Sequence, residues 1–205
     1  MRTAALGIGD QVIPVPAHIG LFHDAAPERR HLRLAFLRPA IEDPRQGIML
    51  LGPPDIAERA LRDLEDDLGG PLDGGVRSGR VLVAHTDEDP DLLLENIRNA
   101  LIALAAGGSD LIRVFAQVMW DAPGFPLPED HLWAESRINV LLADLHVILV
   151  CAYDVSQLPD RALIGGGLET HPMVVIGGRL TDSPGYLAPA EYMRSFLLKL
   201  RSSGR

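Results

Sequence analysis

The chain of 205 residues has one cysteine, so no internal disulfide can form, which fits a reducing cytoplasm. Basic residues are also in short supply: 19 Lys and Arg stand against 28 Asp and Glu, a formal charge of −9. Neutralising phosphates takes the opposite balance, so no direct nucleic-acid contact is expected, and any part in gene control would run through another chain. No apolar run approaches the roughly 18–20 residues of a membrane span. The N-terminus "MRTAALGIGDQVIPVPAHIG" lacks the long apolar core and small-residue cleavage site of a secretory signal. Internal repeats, low-complexity tails and a convincing linker are likewise missing.

What is present is the material of one domain with a sizeable core, 47% hydrophobic and 23% charged. Short apolar runs alternate with longer amphipathic stretches. The runs are "IGLF" (19–22), "IMLL" (48–51), "VLVA" (81–84), "LIRVFAQV" (111–118), "HVILVC" (146–151) and "MVVIG" (173–177). Several are apolar on both faces, as strands buried within a parallel sheet are. Between them, Ala57, Leu61, Leu64 and Leu68 recur at helical spacing, as do Leu93, Ile97, Leu101 and Leu104, with Gly-Gly stops at 69–70 and 107–108. Residues 129–145 and 189–200 read as two further helices, the latter started by Pro189. The pattern predicts an α/β fold, a mostly parallel sheet flanked by helices. Segment 66–79 reads as a Gly-rich loop and segment 121–130, with three prolines, as a shaped one.

The second run enters "LLGPPDIAERAL" (50–61), the strand–turn–helix frame of a phosphate loop. That loop requires glycine amides, a lysine and a hydroxyl in the order G-x-x-x-x-G-K-[ST]. Here the Gly52-Pro53-Pro54 turn deletes two amides, no lysine follows, and Asp55 would repel phosphate. No ATP is expected at this turn, and a proline-initiated helix with an acidic first turn is the simpler reading.

Ligands of open parallel sheets bind outside the carboxyl ends of the strands. Trp120 and Asp121 follow the fourth run, while Cys151, Tyr153 and Asp154 end the fifth. His18 starts the first, and His171-Pro172 enters the last. Cys151, His171 and Asp154 could form a nucleophilic set, although "CAYDVSQLP" has no glycine elbow. His18, Cys151 and His171 offer suitable metal ligands, without the tight spacings of zinc motifs. A ligand pocket asks less, an apolar concavity with a few polar groups. The plainest reading makes Cys151 a buried small hydrophobe and Asp154 a cap for the next turn. His23, His31, His85, His131 and His146 read as surface or strand-end residues, and Phe22, Phe115 and Trp133 as core.

The segments "AHIGLFHD", "IRVFAQVMW", "AESRIN", "VCAYD" and "THPMVVIGG" occur in the order seen in the MEDS domain, the sensory domain of methanogen and methylotroph regulators. This resemblance covers about residues 16–195, placing one domain at 16–205 behind an N-terminal extension at 1–15. It implies a RecA/KaiC-like core with its phosphate loop eroded, and a non-enzymatic, cytoplasmic role in sensing a small apolar hydrocarbon derivative. It points to ligand contacts at His18, Arg113, Trp120, Glu135, Cys151, Tyr153, Asp154 and His171, with Asn139 and Pro172 as further family-type positions. Trp120 and Tyr153 would wall the pocket, Cys151 and His171 would supply polar or metal contacts, and Arg113, Glu135 and Asp154 would brace them. Gln117 and Val118 stand where the family often carries an acid. With no helix-turn-helix or kinase module in the chain, the expected output is a separate kinase, anti-sigma factor or transcription regulator. RecA-like relatives also point to a homo-oligomer. Two other readings compete: a cysteine hydrolase or degenerate nucleotidase using Cys151 and His171, and an ATPase-like scaffold without a ligand.

Overall fold

A computed structural model describes residues 2–202. In chain order the strands and helices are β1 (Arg2–Gly7), β2 (Gly9–Val15), β3 (Ala17–His23), α1 (Ala26–Glu42), β4 (Gln46–Gly52), α2 (Pro54–Leu68), the short α3 (Asp73–Arg77), β5 (Val81–His85), α4 (Pro90–Ala106), β6 (Leu111–Gln117), α5 (Pro128–Leu142), β7 (Val147–Asp154), β8 (Met173–Ile176), β9 (Arg179–Asp182) and α6 (Pro189–Ser202). A π-helical segment, Ala162–Leu168, lies between β7 and β8.

Strands β5, β4, β6, β7, β3, β8 and β9 lie side by side in that order. All pairings are parallel except β8 with the edge strand β9, so the α/β architecture with a mostly parallel sheet is as expected. Strand β7 has every side chain buried, because helices cover both faces of the sheet. Its odd-numbered residues, Val147, Leu149, Cys151 and Tyr153, face α4, α5 and α6 in one core. Ile148, Val150 and Ala152 face the opposite core, with α1, α2 and the β1–β2 hairpin.

Several elements depart from the sequence reading. Helix α1 was not anticipated, although Leu32, Phe36, Leu37 and Ala40 are buried along one face of it. Its charged residues and internal Pro39 hide that stripe. Residues 2–15 form an antiparallel hairpin whose Leu6, Ile8, Ile13 and Val15 enter the second core. Asp73–Arg77 makes a short helix inside the stretch read as a loop, and β9 adds an edge that no apolar run announced. At the Gly52-Pro53-Pro54 turn, α2 starts directly at Pro54 with Asp55 in its first turn. It ends at Gly69, whose φ of 69° is the left-handed conformation that favours glycine.

Candidate functional site

Parallel pairing sets His18 beside Leu149 and Gly20 beside Cys151, so these residues share the face turned towards α5. Gly20 keeps that face open, because a Cβ there would lie 3.0 Å from the Gly167 carbonyl oxygen and 3.4 Å from the His171 ring. Helix α5 brings His131 and Glu135, one turn apart, onto the same face, and both are buried. The π-helical segment closes over the site with Gly165, Gly166 and Gly167. Any side chain at Gly167 would run into Phe22, at 2.4 Å from its Cζ.

Glu135 is the hub. Its Oε1 lies 3.0 Å from His171 Nε2, 3.3 Å from His18 Nε2 and 3.2 Å from the Tyr153 hydroxyl, which donates to it. Its Oε2 lies 3.3 Å from His131 Nε2. Cys151 Sγ stands 3.5 Å from His18 Nε2. Tautomers follow from the partners. Indole can only donate, so the 3.0 Å bond from Trp120 Nε1 to His131 Nδ1 leaves a neutral His131 with its proton on Nε2, towards Glu135. A carbonyl can only accept, so the 3.0 Å contact of His171 Nδ1 with the Gly166 oxygen places the proton on Nδ1. His171 Nε2 then faces the carboxylate in ion-pair range, without a well-formed hydrogen bond. Asn139, beside His18, donates its amide to the Thr170 carbonyl at 2.7 Å and ties α5 to the segment leading into His171.

The electrostatics are those of a closed site. Burial pushes the Glu135 carboxyl upward, but the contacts with His131, His171 and His18 outweigh it and hold the group well below its ordinary range. Burial, then the proximity of His171, lowers His18 to about 4. Burial, then the Glu135 carboxylate, drives the Cys151 thiol and the Tyr153 phenol well above their ordinary values. The result is an anionic Glu135 carboxylate beside a neutral His18, a neutral thiol and a neutral phenol. His18, Glu135, Cys151 and His171 each offer a ligand atom, all within 4.8 Å of one another, and could hold a metal ion.

One cavity adjoins this cluster, and a second hollow lies further out, beside Trp120. A cavity of about 30 Å³ has a polar wall of Glu135, His131 and Cys151, opposed by apolar side chains including Leu93, Ile97 and Phe125. A larger hollow of about 210 Å³ opens beyond the ends of β6 and β7, between Trp120, Asp154 and Leu158.

Of the eight expected site residues, five converge: His18, Glu135, Cys151, Tyr153 and His171. Trp120 joins them through His131. Arg113 and Asp154 do not, because alternation along β6 and β7 turns them to the opposite face. The expectation that they brace the cluster is therefore corrected. Arg113 is buried and donates to the Leu6, Phe36 and Ala5 carbonyls and to Gln46 Oε1, fastening the hairpin and α1 to the sheet. Asp154 accepts from the Ser156 amide at 2.9 Å and hydroxyl at 2.6 Å, which makes it the cap of the following turn. Gln117 lines the small cavity. The sequence reading set aside His131 as a surface or strand-end residue, yet it is 3% exposed and bridges Trp120 to Glu135. The i, i+4 spacing of His131 and Glu135 was the signal for it. The triple glycine before His171 was the signal for Gly166 and Gly167.

Comparison with known proteins adds the family. The model of MEDS, the MEthanogen/methylotroph, DcmR Sensory domain, matches residues 17–172, which is more than half of the chain and contains the whole cluster. No curated protein matches the chain.

Proposed function

The chain belongs to the MEDS family, a family of sensory domains, and on that premise we propose that it is a non-enzymatic sensor of a small apolar molecule. The observation that carries this reading is the cavity of about 30 Å³ set against Glu135, His131 and Cys151. A void needs about 10–15 Å³ on this measure to hold one water, so the space suits a molecule of only a few heavy atoms. Its mostly apolar wall favours a hydrocarbon derivative over an ion, and the polar wall would orient a substituent such as a hydroxyl or halide. Occupation would press on α5, which carries Glu135 and His131 and packs against α4 and α6. A shift of that helix is the signal that a separate regulatory protein, a kinase, anti-sigma factor or transcription regulator, would read. The larger hollow between Trp120 and Asp154 is the approach to the cavity in this scheme.

The same geometry gives less support to a cysteine hydrolase. Cys151 is buried and its thiol is held protonated, whereas a nucleophilic cysteine needs an accessible thiolate.

The test is a panel of one- to three-carbon alcohols, halides and amines against the full chain, by ligand-observed NMR and thermal unfolding. A member that fits should bind saturably and add about 2.7 kcal/mol of stability at a hundredfold excess over its Kd. Ala116→Leu, which fills the cavity from β6, should abolish the effect. Absence of saturable binding across the panel would refute the reading.

A further inference from the structure

We propose that His18, Glu135, Cys151 and His171 form a tetrahedral site for one zinc-class divalent cation. The inference stands on the geometry of these four side chains and does not depend on the sensor reading.

The edge lengths are the first argument. A tetrahedral ion with nitrogen and oxygen ligands at about 2.0 Å and sulfur at about 2.3 Å separates nitrogen from oxygen by about 3.3 Å and nitrogen from sulfur by about 3.5 Å. The chain sets Glu135 Oε1 at 3.3 Å from His18 Nε2 and 3.0 Å from His171 Nε2, and His18 Nε2 at 3.5 Å from Cys151 Sγ. No ligand-atom pair is further apart than 4.8 Å. Small movements of the side chains would centre an ion among them.

The second argument is an orphaned atom. His171 Nε2 is fully buried without a hydrogen-bond partner, although a carboxylate oxygen lies close to it. Its other nitrogen is bound to the Gly166 carbonyl, the outer-shell arrangement that orients a metal-ligating histidine and strengthens it as a donor. Glu135 is oriented in the same manner by Tyr153, and on its second oxygen by His131, itself held by Trp120.

Charge is the third. The four residues are 0–3% exposed. The Glu135 carboxylate touches three histidines and a phenol, none of them a fixed cation, so its negative charge is buried without a permanent countercharge. A divalent ion bound by Glu135 carboxylate and Cys151 thiolate makes a neutral unit. Binding forms the sulfur–metal bond as the thiol loses its proton, which leaves to solvent. Two nitrogens, one oxygen and one sulfur in four-coordinate geometry suit zinc or its cobalt surrogate and exclude magnesium and calcium, which take oxygen.

The test uses the reduced full-length chain, stripped with chelator and titrated anaerobically with Co²⁺, and separately with Zn²⁺ under native mass spectrometry. The expected result is one ion per chain, with the visible bands of four-coordinate cobalt and a near-ultraviolet thiolate-to-cobalt charge-transfer band. That band can arise only from Cys151, the one cysteine of the chain. Cys151→Ser should abolish it and weaken binding at least tenfold. His85→Ala, at an exposed histidine, should change neither. No stoichiometric ion, or a bound ion without the charge-transfer band, would overturn the proposal. The wild-type titration decides this even if a variant fails to fold.

Discussion

His171 Nε2 stands 3.0 Å from Glu135 Oε1 while His171 Nδ1 gives its proton to the Gly166 carbonyl. Two lone pairs thus face each other in the interior unless a proton or a cation lies between them. Glu135 lies under this contact, and its other partners depend on it for an acceptor. Glu135→Ala would strip the Tyr153 hydroxyl and His131 Nε2 of theirs. Each stranded buried donor costs about 1–3 kcal/mol, so metal-free protein carrying the substitution should lose about 2–4 kcal/mol in urea unfolding. Glu135→Gln, which keeps an acceptor, should lose less.

Arg113 is a structural clamp. Its guanidinium supplies four hydrogen bonds to the hairpin, α1 and Gln46. Burial lowers it to about 10, so it stays charged at neutral pH. Arg113→Ala leaves buried acceptors unmet and should destabilise the fold by about 3 kcal/mol. Hydrogen exchange should show the loss first in residues 2–15, with the Cys151 face less affected.

Gly167 and Gly165 differ in what they touch. A methyl at Gly167 collides with the Phe22 ring at 2.4 Å, whereas at Gly165 it meets Leu132 at 3.5 Å, ordinary contact distance. Gly167→Ala should therefore cost about 1–3 kcal/mol, and Gly165→Ala much less. Paired thermal melts would show the difference.

Cys151 should react slowly. In the metal-free protein the thiol is 2% exposed and, through burial and the nearby Glu135 carboxylate, protonated at neutral pH. Iodoacetamide labelling at pH 8 should be slow in the native, metal-free protein and rapid in denaturant. Fast native labelling would favour the hydrolase reading instead.

His23 should impose a pH dependence. Burial, the largest influence, lowers it to about 4 against the pull of Asp154, with Arg29 also lowering it and Asp24 raising it. Its unfolded value is about 6.5. The folded value is the depressed one, so the unfolded chain binds the extra proton. Its stabilising contribution is complete above about pH 6.5 and is lost as pH falls towards 4. His23→Gln should remove up to one proton from the pH slope of stability over that window, as read from urea midpoints.

The residue order was enough for the buried β7, the alternation of strands and helices, the proline-started α2 and the types of side chain in the cluster. These follow from local periodicity and backbone chemistry, which a sequence carries directly. Convergence of the cluster did not follow, since His18 and Cys151 lie 133 residues apart and meet only through the pairing of β3 with β7. Strand register also decided which polar residues share a face: a period of two separates Asp154 from Cys151, and pairing with β7 puts Arg113 on the Ile148 side. His131 became visible as a site residue only when α5 was seated on the sheet. Helix α1 stayed hidden because its buried stripe includes Arg33 and its last turn contains Pro39. Tertiary packing alone turned scattered histidines, a carboxylate and one thiol into a site, because the distances between side chains are set by how the elements stack.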